Sequence, residues 1–122
     1  MILHGYWRST AAYRVRIALN VKGIPYSQAT HDLRTGAHKA SGYRAINPQG
    51  LVPALVVDGL TLTQSPAILE WLDERYPGTP LLPAAVNDRA IVRAMAALVA
   101  CEYAMPFTFN AMRTLYAAVD RQ

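Results

Sequence analysis

Pro53 stands directly before Ala54-Leu55-Val56-Val57, a run that reads as a β-strand, and this junction limits the fold more than any other feature. Proline has no N–H to give to a ladder, so it is tolerated at the first strand position and excluded from the middle of a sheet. Asp58-Gly59 follows and separates this run from Leu60 to Leu62, supplying the positive backbone φ angles that a two-residue hairpin turn needs. An antiparallel pair is expected. The Val52-Pro53 bond has two readings. A cis peptide would leave the Val52 backbone exposed, able to bind an extended peptide as a neighbouring strand would; a trans bond would make the segment an ordinary turn.

Upstream, Met1 to His4 reads as a strand and Gly5 to Ser9 as a loop. Thr10 to Lys22 is expected to be a helix, with Ala12, Val15, Ala18 and Leu19 on one face and Gly23 as its stop. Tyr26 to Thr30 reads as a second strand. Two strands joined through a helix are expected to lie parallel with a right-handed crossover. His31 to Asn47 mixes charged and small residues, predicting a loop with a short helix around Lys39 to Ala45. Ser65-Pro66 opens a further helix, serine as N-cap and proline at the first helical position, with Pro77-Gly78 closing it. Ile68, Leu69, Leu72 and Tyr76 form its apolar face, and Asp73, Glu74 and Arg75 face outward. Thr79 to Val86 reads as a linker. Asn87-Asp88 is expected to cap an alanine-rich helix bearing Ile91, Met95, Leu98 and Val99, whose apolar face needs either a second copy or further chain to cover it.

The chain has 122 residues, 52% of them apolar and 16% charged, which fits one globular domain with an appendage. Its net charge of +4 comes from scattered basic residues, which argues against a nucleic-acid surface and favours small anionic ligands. No apolar run approaches the roughly eighteen residues of a membrane span, and the N-terminus lacks a secretory core. We therefore expect a cytoplasmic protein with no membrane or nucleic-acid partner. The single cysteine, Cys101, lies in an apolar stretch and reads as core packing.

Three segments offer chemistry. The first is Val52-Pro53. The second is Thr63-Gln64-Ser65-Pro66, where free N–H groups, the helix dipole and a hydroxyl together suit a carboxylate. The third is Arg8-Ser9-Thr10, where two hydroxyls and fresh N–H groups would stabilise an anion such as a thiolate. Self-capping is the competing reading of both helix starts. His31 and His38 lack a partner at metal-ligand or triad spacing and read as surface residues.

The run Arg8-Ser9-Thr10-Ala11-Ala12-Tyr13-Arg14-Val15-Arg16-Ile17-Ala18-Leu19, with Lys22-Gly23-Ile24, resembles the signature of zeta-class glutathione transferases, S-S-C-x-W-R-V-R-I-A-L. Asn47-Pro48-Gln49-Gly50-Leu51-Val52-Pro53-Ala54-Leu55 is similar to the cis-proline loop of the same family, which includes maleylacetoacetate isomerases. Gln64-Ser65, followed by Ala67-Ile68-Leu69-Glu70-Trp71-Leu72, is similar to its γ-glutamyl-binding motif.

The resemblance implies an α/β fold: a thioredoxin-like βαβ-ββα domain over residues 1–83, then the first helix or helices of an incomplete all-α domain over 84–122. It implies glutathione as cosubstrate, no metal, a small acidic or electrophilic substrate, a homodimer and a place in aromatic amino acid catabolism. By the same resemblance Ser9 and Thr10 orient the thiolate and Arg14 meets the acidic substrate or balances local charge. His38 would reach the glycine end, Val52 beside a cis Pro53 would hold the cysteinyl backbone, and Gln64 and Ser65 would hold the γ-glutamyl end.

The implied reaction adds glutathione to a cis double bond, lets the bond rotate and eliminates glutathione from the trans product. Departures from the pattern are Ala11 in place of the family cysteine, Tyr13 in place of tryptophan, and the apolar Met105-Pro106-Phe107-Thr108-Phe109 where the family carries polar residues. They leave two alternatives to catalysis: a module that binds glutathione without turnover, and a fragment that pairs through its helical face.

Overall fold

The computed structural model describes residues 1–102. The side chain of Cys101 and the Met105 to Phe109 stretch lie outside the described residues. The chain divides into two compact units, Met1–Leu82 and Pro83–Gln122.

The first unit runs β1 (Ile2–Gly5), α1 (Thr10–Val21), β2 (Ser27–Thr30), a 3₁₀ turn (Ala37–Lys39), α2 (Ser41–Arg44), β3 (Ala54–Val57), β4 (Leu60–Thr63) and α3 (Ser65–Arg75). The sheet order is β2-β1-β3-β4. β1 and β2 are parallel, whereas β3 runs antiparallel to both β1 and β4. This is the expected βαβ-ββα order. At the hairpin Asp58 (φ 49°) and Gly59 (φ 78°) both adopt positive φ, as a two-residue turn matched to strand twist requires.

Successive strand residues face opposite sides of the sheet, so Leu3 and His4 point to different layers. On one side Leu3 and Leu55, paired across β1 and β3, meet Val15, Ala18 and Leu19 of α1 and Ile68 and Leu72 of α3. Each large side chain buried there contributes about 1.5–3 kcal/mol. The apolar face expected of α1 is the face buried. On the other side His4 meets Tyr43 of α2. The sheet is therefore covered on both faces.

Two expectations for α3 are corrected. Ser65 is the first helical residue, and the cap is Gln64, which has φ 66° and ψ 108° and makes no side-chain capping bond. Asp73 does not face outward: its carboxylate lies 2.9 Å from Lys22 Nζ, with side-chain exposures of 12% and 1%. Lys22, just past the end of α1, also donates to the carbonyls of Tyr76 (2.9 Å) and Thr79 (2.6 Å), using all three ammonium protons. Asp73 Oδ1 accepts in addition from the Leu81 amide at 2.7 Å. Burial pushes the Asp73 carboxyl upward, but the bonds and charge from Lys22 and the Leu81 amide outweigh it and hold the group below the usual range.

In the second unit α4 (Val86–Ala97) passes into a π-helical turn (Leu98–Glu102). The helix begins one residue before the expected Asn87-Asp88 cap: Ala85 occupies the cap position and Asp88 lies in the first turn, where it complements the helix dipole. Ile91, Met95 and Val99 form an exposed row. Among the described residues no helix is long and apolar enough to cross a membrane.

Lys22→Met should destabilise the chain by about 2–4 kcal/mol in urea denaturation, because it strands a part-buried carboxylate and two carbonyls. A loss below about 0.5 kcal/mol would mean that water replaces the ammonium without cost.

Candidate functional site

Strand register decides where the three chemical segments meet. His4 of β1 pairs with Ala54, the first residue of β3, and Ala54 pairs with Thr63, the last of β4. Gly5 pairs with Thr30, the last of β2. The loop leaving β1 toward Ser9, the segment entering β3 through Val52-Pro53, the Gln64-Ser65 corner leaving β4 and the His31 segment leaving β2 thus share one end of the sheet.

Ser9 caps α1: its Oγ accepts from the Ala12 amide at 3.2 Å and its carbonyl accepts from Tyr13 at 2.8 Å. The self-capping reading is therefore correct for Ser9. A hydroxyl that accepts still has its proton to donate, so capping and binding are compatible. Thr10 is exposed in the first turn, where amide groups have no partner within the helix. Positive charge surrounds this start: the Arg8 guanidinium lies 5.6 Å from the Trp7 ring centre, and Arg16 donates to the Trp7 carbonyl at 3.1 Å while lying over Tyr13. Arg14 is half-buried one turn along α1 from Thr10.

The Val52-Pro53 peptide is cis, settling the two readings of that bond. Pro53 is buried, while Val52 is part-exposed and precedes the ladder, which begins at Ala54. The loop before it is fixed from within. Asn47, 1% exposed, donates from Nδ2 to the Leu51 carbonyl at 2.8 Å and accepts at Oδ1 from the Gln49 amide at 3.2 Å. Tyr43 Oη also donates to the Leu51 carbonyl. Gly50 has φ 62°, and a Cβ there would lie 3.1 Å from the His38 carbonyl, so the loop closes on the 3₁₀ turn only with glycine.

At the third segment Gln64 Nε2 donates to Gln49 Oε1 at 3.1 Å, joining the α3 corner to the Val52 loop. Ser65 is buried at the helix start. The Gln64 backbone lies outside the regions comfortable for a side-chain-bearing residue, as is frequent at ligand-binding corners.

The expectation that His31 is an isolated surface residue is corrected. His31 Nε2 and His4 Nδ1 are 2.9 Å apart, and the His31 ring lies against Tyr43 with ring centres 4.2 Å apart and planes tilted by 39°. Burial, then the neighbouring His31, lowers the His4 pKa; burial, then His38, lowers that of His31. His38 lies in the 3₁₀ turn with Nδ1 buried and without a hydrogen-bond partner. His4, Tyr43, Asn47 and Gln49 are the residues that sequence reasoning missed. Among the described residues no cluster could hold a metal ion.

Residues 8–75 match the glutathione S-transferase N-terminal domain family. A maleylacetoacetate isomerase from Rhizobium meliloti is 54% identical over 101 residues, covering 83% of this chain and 47% of that protein. The holo structure of a maleylpyruvate isomerase, described as a bacterial glutathione S-transferase of zeta class, matches with TM-score 0.83 and 42% identity over 96% of this chain and 57% of the other. A maleylacetoacetate isomerase from Methylobacterium extorquens with bound malonate and glutathione matches with TM-score 0.83 and 45% identity, covering 96% and 56%. The chain spans about half the length of the curated relatives it matches.

Gln64→Gly should raise stability by about 1 kcal/mol in urea denaturation, relief of the φ 66° backbone exceeding the added freedom of the unfolded glycine. A loss of stability would show that the Gln64 side-chain contact outweighs the strain.

Proposed function

The chain belongs to the zeta class of the glutathione S-transferase family, and from that premise we propose that it is the glutathione-binding part of an isomerase acting on maleylacetoacetate-like diacids. In this reading residues 1–83 form the thioredoxin-like glutathione domain and residues 84–122 begin the helical domain. The observation that carries the reading is the convergence of Ser9, Val52 beside cis Pro53, and Gln64-Ser65 at one end of the sheet.

Extended along this end, glutathione would place its cysteinyl backbone against Val52 as an added strand, its γ-glutamyl carboxylate at the start of α3 and its glycine near His38. The residues fit. Ser65 is buried at a helix N-terminus, and Val52 stands outside the ladder with its backbone available.

Glutathione would supply a thiol that adds reversibly to a conjugated cis double bond, allowing rotation before its release. The chain's part is to keep that sulfur ionised, since a thiol of ordinary pKa near 8.5 is largely protonated at neutral pH. Ser9 would donate its free proton, Thr10 its hydroxyl and amide, and Arg8 and Arg16 a positive field. Arg14 would face the substrate carboxylate or balance charge on α1. Ala11 contributes no thiol, so the chemistry falls to hydroxyls, amides and arginines. We place the protein in the cytoplasm as a homodimer, in aromatic amino acid catabolism, on the strength of the family alone.

Calorimetric titration of glutathione into the chain tests the reading. Binding is expected, with Ser65→Ala weakening it by about 1–3 kcal/mol, roughly 5- to 150-fold. No binding by the folded chain would overturn the reading. Binding without turnover of a maleyl diacid would reduce it to a glutathione-holding module.

A further inference from the structure

The loop that presents Val52 is held at two points by one residue, through its backbone and its side chain. Tyr43 is 3% exposed; its carbonyl accepts from the Asn47 amide at 2.8 Å, and its hydroxyl donates to the Leu51 carbonyl. The loop from Asn47 to Leu51 is thereby pinned to α2, and the next residue is Val52. The Tyr43 ring rests in turn on two imidazoles, His31 at 4.2 Å and His4 at 5.9 Å between ring centres. The imidazoles lie 22° from parallel and share a hydrogen bond of 2.9 Å. A continuous path therefore runs from β1 through His4, His31, Tyr43 and the Leu51 carbonyl to Val52.

We propose that Tyr43 is a positioning residue for the backbone that holds glutathione, and that the His4–His31 pair beneath it makes this positioning sensitive to pH. The functional half of this inference rests on the glutathione reading above; the coupling between the histidines and Val52 does not.

Two imidazoles joined nitrogen to nitrogen need one donor and one acceptor. The neutral pair satisfies this. So does the singly protonated pair, whose charge can also lie against the Tyr43 ring. The doubly protonated pair has no acceptor left and places two like charges within a hydrogen-bond distance, so it must separate.

The charge of His31 acts on His4, and that of His38 from the 3₁₀ turn acts on His31. α2 presents Tyr43, and the β3 partner of His4 is Ala54. Asp32, next in sequence to His31, is engaged by the Arg34 guanidinium at 2.7 Å. The lowered histidine pKa values fit this setting: the folded chain binds fewer protons than the unfolded one, so stability is lost as pH falls below the ordinary histidine value of about 6.5.

Separation removes the floor under Tyr43, loosens Leu51 and moves Val52. Affinity for glutathione should therefore fall on acidification.

The experiment is a pair of pH titrations of the full chain from 7.5 to 5. In the first, NMR follows the histidine rings and the Leu51 and Val52 amides without ligand. The amides are expected to shift with the second protonation of the histidine pair, the step that leaves no acceptor, and Tyr43→Phe is expected to flatten the amide curves while the histidines still titrate. Flat amides in the unaltered chain, or amides that still follow the histidines in Tyr43→Phe, would overturn the coupling. His31→Gln keeps a hydrogen-bonding side chain that cannot become charged, and should hold the amides constant.

In the second titration, calorimetry measures glutathione affinity, expected to drop about fivefold from pH 7.5 to 5 and to become level in His31→Gln. Affinity that is flat or rises on acidification in the unaltered chain would overturn the functional half and leave the glutathione site standing. Failure to bind at either pH would overturn the glutathione reading, with the amide curves still deciding the coupling.

Discussion

The antiparallel docking of β3 on β1 is the constraint from which the rest of the site follows. β1 and β2 are joined through α1 and run parallel, so their far ends lie side by side. If β3 ran parallel as well, its first residue would start at the opposite end of the sheet, and Pro53 would stand some four residues from the start of α1. Reversed, β3 begins where β1 ends, and its hairpin returns β4 to the same row. Three chain segments far apart in sequence then meet without any long excursion. The proline at the head of β3 suits this arrangement, because a residue that cannot donate to a ladder is placed where the ladder starts.

Elements governed by neighbours in sequence were legible from the residues. The buried stripe of α1 follows from helical spacing, the hairpin from Asp58-Gly59, and the head of β3 from Pro53. Contacts between distant residues were not. Lys22 looks like one basic residue among many until α3 brings Asp73 beside it, 51 positions later. His31 lacks a partner at any short spacing because its partner is 27 residues upstream, on a neighbouring strand. The α3 cap failed for another reason. Ser65 has the chemistry of a cap, but the turn out of β4 puts Gln64 in the capping conformation at positive φ and moves serine inside the helix. Residue type predicts a cap only when the backbone entering the helix is extended, as it is at Ser9.

That contrast separates the two helix starts of the site. At α1 the serine caps the helix and retains a proton to donate. At α3 the helix is left without a side-chain cap, so its first amide groups are open to an external acceptor, and Ser65 lies among them. An uncapped helix start is costly unless something satisfies it, and so is the backbone of Gln64. Both costs fall at one corner, joined through Gln49 to the loop that carries Val52. A strained residue and a helix start without a side-chain cap coincide at this corner, beside a well-packed core, and the coincidence fits a corner shaped for a ligand carboxylate.

The chain's positive charges divide along the same line. Lys22 is consumed by structure: every ammonium proton is bound, and it ties the end of α1 to the end of α3, remote from the site. Arg8 and Arg16 instead surround the start of α1, held by aromatic faces and a backbone carbonyl rather than by carboxylates. A guanidinium held by neutral groups keeps its full charge toward solvent, whereas one paired to a carboxylate, as Arg34 is to Asp32, projects little field. A net charge of only +4 can thus act locally at the start of α1, where Arg8 and Arg16 are held by neutral groups. An anion arriving there meets that field and a helix dipole of the same sense.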